Sequence, residues 1–88
     1  MNTANPRKAT PEQIHEVLWR ITADRLSKDP AQFQPTTRFV HDLGADSLDR
    51  AEIAMGLEEE LALTVPTTLF ENTELTLGDV EKALTAQL

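Results

Sequence analysis

From Leu43 to Leu61 the chain reads LGADSLDRAEIAMGLEEEL, and this stretch constrains the fold more than any other. Gly44-Ala45 makes a tight turn, after which Asp46 and Ser47 can offer side-chain oxygens to the orphan amides of a starting helix. The spacing predicts a helix over Ser47–Leu61 with two distinct faces. Ile53, Ala54, Leu57 and Leu61 share one sector and are expected in the core, with Ala51 at its edge. Leu48, Glu52, Met55 and Glu59 share the opposite sector. Two apolar residues set among acids form a small docking surface, apolar at the centre and charged at the rim. Asp42–Leu61 holds seven acids against Arg50 alone, a net −6 out of −7 for the whole chain. Arg50 falls beside the core sector and is expected to snorkel its stem toward an acid, Asp46 or Glu58.

That charge excludes several classes of function. A chain at −7 with eight basic residues repels nucleic-acid phosphates and suits basic partner proteins, drawn in by steering that salt weakens. There is no cysteine, hence neither a disulfide framework nor a thiolate metal site. His15 and His41 leave little for a metal, and no metal site is expected. No apolar run approaches the roughly 18 residues of a membrane span, and Met1–Ala9 lacks the apolar core of a secretory signal. A cytoplasmic location is expected.

Eighty-eight residues make one small domain with one modest core. Met1–Ala9 is polar and expected as a flexible segment, with residues 10–88 as the folded unit. Thr10-Pro11-Glu12-Gln13 starts the first helix, with Thr10 as N-cap and Gln13 closing a capping box. Ile14, Val17, Leu18 and Ile21 follow as an apolar stripe, and the helix should end near Leu26–Lys28, ahead of Asp29-Pro30. Trp19 lies off that stripe, packed under the following loop, with Phe33 a candidate neighbour, or else presented to a partner. Ala31–Asp42 is a long connection that must be pinned, with Phe39 and Leu43 as plugs. Pro66–Asn72 can hold one short helical turn, with Leu69 and Phe70 covering the open end of the core. Thr76-Leu77-Gly78-Asp79 opens a last helix whose Leu77, Val80 and Leu84 face inward. No stretch has strand-like alternation. The fold class expected is all-α, a small bundle of three main helices and one short one.

Ser47 is the residue to which chemistry points. A hydroxyl at a helix N-terminus suits an attached phosphate, because the free amides and positive helix end favour an anion. A nucleophilic serine would need an oriented base and an oxyanion hole. No G-x-S-x-G occurs, and nothing in the sequence brings His15 or His41 to Ser47. Gly44-Ala45-Asp46-Ser47-Leu48 is one residue longer than the Gly-Asp-Ser-Leu motif of certain lipases, and no histidine follows His41.

Leu43-Gly44-Ala45-Asp46-Ser47-Leu48-Asp49, followed by Ala51-Glu52-Ile53 and Leu57-Glu58-Glu59-Glu60, resembles the acyl carrier proteins. The resemblance runs from the first helix through Val65-Pro66 to Thr76-Leu77-Gly78-Asp79, roughly Pro11–Leu84. It implies that a phosphopantetheinyl transferase attaches 4′-phosphopantetheine to Ser47, flanked by Asp46 and Leu48, through a phosphodiester. The arm's terminal thiol then carries acyl chains as thioesters, which accounts for a chain without cysteine. It also implies docking of transferases, acyltransferases, ketosynthases and reductases through Asp46, Leu48, Asp49, Glu52, Met55 and Glu59. Phe39, Leu43, Ala54, Leu57, Leu61 and Val65 match positions lining the core and acyl groove. On this resemblance the protein is an acyl carrier protein of fatty-acid biosynthesis, a monomer with no turnover of its own. Arg50, the apolar Thr67–Phe70 stretch and Glu81 depart from the usual pattern. They leave open a polyketide, lipid-modification or aminoacyl/peptidyl pathway; an unmodified acidic adaptor is the remaining alternative.

Overall fold

The computed structural model describes residues 9–88, except for the side chain of Thr67. Its elements are α1 (Pro11–Leu26), a 3₁₀ turn at Pro30–Gln32, α2 (Ser47–Leu61), α3 (Thr67–Glu71) and α4 (Leu77–Thr85). Among the described residues there is no strand, only an isolated antiparallel bridge between Arg38 and Thr76. The all-helical four-helix architecture is the one the periodicity implies. The Pro30–Gln32 turn is additional, capped by Asp29, whose carboxylate accepts from the Ala31 amide at 2.9 Å. The expectation of a flexible Met1–Ala9 falls outside the described residues except at Ala9, which is half-buried against the core.

All three long helices begin with a reciprocal capping box. At α1 the Thr10 hydroxyl accepts from Gln13 N at 3.1 Å, while Thr10 N donates to the Gln13 side chain at 3.0 Å. Each box satisfies amides that the helix itself cannot. α1 and α2 end on Ser27 and Ala62, both in the left-handed conformation at φ 55° and 54°.

The core is built from one face of each long helix: Ile14 and Leu18 of α1, Ile53 and Leu57 of α2, Val80 and Leu84 of α4 are fully buried. Each such side chain contributes about 1.5–3 kcal/mol by leaving water. The α1 stripe is steeper than expected. Thr22 and Ala23 complete it, while Val17 and Ile21 are only half-buried. The reason is the crossing with α2: a Cβ on Gly56 would sit 3.2 Å from Ile21 Cδ1, so Ile21 rests on the α2 backbone at the edge of the interface. Ala51, expected at the edge of the core, is exposed. Phe33 is buried, and Leu43 is only half-buried. Trp19 packs edge-on to Phe33, with centroids 6.3 Å apart, and stacks on His15 at 4.0 Å. It is therefore the strut under the loop.

The long α1–α2 connection is held by main-chain bonds as well as apolar plugs. Phe39 N donates to Leu75 O at 3.2 Å, Leu77 N to Thr37 O at 2.9 Å and Gly78 N to Pro35 O at 2.8 Å. The loop carbonyls thus receive amides from the first turn of α4. Phe39, fully buried, meets the Phe70 ring edge-on at 5.3 Å. This stitching fixes the position from which α2 departs.

Candidate functional site

The turn ahead of α2 is wound by four consecutive amides: Asp42 and Leu43 donate to Arg38 O, Gly44 to Val40 O and Ala45 to Phe39 O. Gly44 sits at φ 71°, a conformation that disfavours any side chain. Ala45 is buried, and the chain emerges at Asp46 and Ser47, both exposed. Asp46 is the N-cap and Ser47 the first helical residue. Asp46 Oδ1 accepts from Asp49 N at 2.8 Å, and Asp49 Oδ2 accepts from Asp46 N at 3.1 Å. Asp49 Oδ1 also takes Arg25 Nε of α1 at 3.1 Å. The Asp46 amide and then Arg25 hold the Asp49 carboxyl below the usual carboxylate range, against a partial desolvation.

The acids of this region divide by partner. Asp49 and Glu60 pair with Arg25 and Arg20 of α1, and Asp42 pairs with Arg38. Glu58 accepts from the Val65 amide at 2.9 Å. Among the described residues Glu52 and Glu59 have no ion-pair partner, and both are exposed. Leu48 and Met55 alternate with them along the same face of the helix and are 60% and 55% exposed. The four residues that periodicity places on one face, Leu48, Glu52, Met55 and Glu59, are all exposed, whereas Asp49, named by the resemblance, is half-buried and turned toward Arg25 of α1.

A cavity of about 410 Å³ opens beside Ser47. On the α2 side Ser47, Arg50, Ala51, Ala54, Met55 and Glu58 line it, and Val65, Phe70 and Glu71 close the far wall. Of the six residues expected at the groove, Ala54 and Val65 are here. Phe39, Leu57 and Leu61 are buried in the core, and Leu43 lines a separate depression with Phe33 and Asp42. Arg50, Ala51 and Phe70 are cavity residues that pattern reading missed. A signal existed: Ser47, Ala51 and Ala54 fall at i, i+4 and i+7, a stripe of small residues leading from the serine. Arg50 also departs from expectation, since it reaches carbonyls rather than carboxylates. Its Nε donates to Asp46 O at 3.3 Å and its Nη1 to Phe70 O at 2.8 Å.

Neither histidine is oriented as a base for Ser47. His15 Nδ1 lies 3.1 Å from Glu81 of α4, which explains a carboxylate on an otherwise inward part of that helix. His41 Nε2 lies 3.0 Å from Glu74. Among the described residues no cluster of His, Cys, Asp or Glu could hold a metal ion, and no helix is long and apolar enough to cross a membrane.

The family described as "Phosphopantetheine attachment site" matches residues 16–84. The chain is 40% identical over 72 residues to the acyl carrier protein of Afipia carboxidovorans, covering 82% of this chain and 90% of that one. It is 41% identical over 69 residues to the acyl carrier protein of Helicobacter pylori, covering 78% and 87% respectively. The acyl carrier protein of Cyanidioschyzon merolae is 40% identical over 62 residues, 70% of this chain and 68% of its own. The chain belongs to the acyl carrier protein family. The prosthetic group of such carriers is 4′-phosphopantetheine, and the local chemistry fits it: an exposed hydroxyl at a helix start, beside a largely apolar cavity. The fit of the phosphate is modest, because Asp46 already occupies the Asp49 amide and brings its own negative charge to the helix end.

Proposed function

We propose that Ser47 is the attachment residue and that residues 10–88 act as one carrier domain, holding acyl groups as thioesters and handing them to enzymes of fatty-acid biosynthesis. The observation that carries this reading is the position of Ser47, exposed on the first residue of α2 and at the edge of the cavity between α2 and α3. The Ser47 hydroxyl supplies the oxygen of the phosphodiester; the bound group supplies the thiol that this chain lacks. The Ser47 and Leu48 amides, in the first turn of α2, favour the phosphate. The cavity shields part of an acyl chain that folds back along Ala51 and Ala54.

Leu48, Met55, Glu52, Glu59 and Asp46 form the surface that meets the transferase, acyltransferases, ketosynthases and reductases. Basic groups on those partners complete the two unpaired glutamates, and the exposed apolar pair is covered on docking. Asp49 contributes indirectly, by fixing the start of α2. The carrier works as a monomer in the cytoplasm and has no catalysis of its own.

Incubation with coenzyme A, magnesium and a phosphopantetheinyl transferase should add one phosphopantetheine by intact-protein mass, and Ser47→Ala should abolish the gain. Unchanged mass with several transferases, or an undiminished gain on Ser47→Ala, overturns the assignment. Partner binding by a protein that is never modified would instead favour the acidic adaptor.

A further inference from the structure

Arg50 is the only basic residue in α2, and it sits on the cavity wall with Ser47, Ala51, Ala54 and Phe70. Arg50 is half-buried, and its guanidinium rests on two main-chain carbonyls, Asp46 O and Phe70 O. Among the described residues no carboxylate pairs with it. The Phe70 carbonyl belongs to the last turn of α3, where carbonyls lack helical partners and the helix dipole is negative. Anchoring there fixes the cation on the cavity wall rather than letting it swing into solvent. A guanidinium has five N–H donors, and two are engaged.

A saturated acyl chain lying in the cavity covers the remaining donors with hydrocarbon and leaves them unsatisfied, an unfavourable outcome for a charged group. A chain with an oxygen close to the thioester offers an acceptor instead. A carboxylate is a poorer fit, because Glu58 and Glu71 line the same cavity. Neutral oxygen functions satisfy the donors without adding negative charge.

We propose that Arg50 is a specificity-determining residue of this carrier, selecting 3-oxo- or 3-hydroxyacyl cargo over a saturated chain of equal length. The proposal rests on Ser47 being the attachment point. It differs from a purely structural role, in which Arg50 ties α2 to α3 and affects every cargo alike.

The test loads the protein with hexanoyl or 3-oxohexanoyl groups through a transferase and the corresponding acyl-coenzyme A. In the wild type the 3-oxohexanoyl form should melt higher than the hexanoyl form by about 4–8 °C, the equivalent of one added hydrogen bond of ordinary net strength. In Arg50→Met, which keeps an apolar stem without donors, that difference should vanish. The Arg50 Nε–Hε resonance of the wild type should move on 3-oxohexanoyl loading and stay put on hexanoyl loading, a readout that needs no variant to fold. Equal melting of the two wild-type forms with an unmoved resonance overturns the proposal, as does a difference that survives in Arg50→Met. Failure to load either group overturns the Ser47 assignment itself.

Discussion

Asp46 and Asp49 cap each other's backbone, carboxylate to amide in both directions, at 2.8 Å and 3.1 Å. Ser47 is, with Leu48, one of the two residues enclosed by that exchange. Its position as the first helical residue therefore depends on two acids that elsewhere on this surface would serve only to attract partners.

The pH dependence follows from Asp49. Its carboxyl is held low by the Asp46 amide and by Arg25, so its folded pKa lies below the unfolded value of about 3.9. A depressed carboxylate stabilises the fold above the unfolded pKa, and that stabilisation is lost as pH falls through the folded pKa. Asp49→Ala should lower the urea midpoint at pH 7 and lower it progressively less on acidification below about pH 4. An equal loss at pH 7 and pH 3 would show that the charge is not what matters.

Gly78 is where the α1–α2 loop and α4 touch. A Cβ there would lie 2.9 Å from Pro35 O, the carbonyl that accepts the Gly78 amide. Gly78→Ala must push backbone against backbone, and we expect a loss of about 1–3 kcal/mol by urea denaturation. Wild-type stability in this variant would mean that the loop retreats at no cost.

Thr22 is completely buried in α1, and its hydroxyl has no hydrogen-bond partner among the described residues. Thr22→Val keeps the shape and removes the orphan polar group, so stability should rise by about 1–2 kcal/mol. Calorimetry checks this directly; a fall in melting temperature would reveal a bond to the hydroxyl in solution.

Glu52 and Glu59 are the glutamates of the proposed docking face that form no ion pair among the described residues. Reversing both to Lys should slow phosphopantetheine transfer by about tenfold or more, with the deficit shrinking as salt is added. Far-UV circular dichroism should be unchanged, because neither carboxylate forms an ion pair among the described residues. A loss of helicity would instead make this face structural.

The helix bounds were legible where their causes are local. Thr10 with Gln13 and Thr76 with Asp79 are boxes closed within four residues, and α2 occupies Ser47–Leu61 as its cap and period require. The exposed Leu48 and Met55 were legible for the same reason, since helical geometry alone separates them from Ile53 and Leu57. The cavity was read less well. Its far wall, Val65 and Phe70, arrives from beyond the end of α2, and no periodicity within one helix reports which side chains a later segment leaves uncovered.

Arg50 marks the boundary most sharply. The sequence determined that a lone cation stands three residues after Ser47 on an acidic helix, because helical phase is a property of the chain itself. Only the tertiary structure decided that this cation ends on the Phe70 carbonyl rather than on Asp46 or Glu58 carboxylates. That choice depends on where α3 docks, and docking is set by packing between segments distant in the chain.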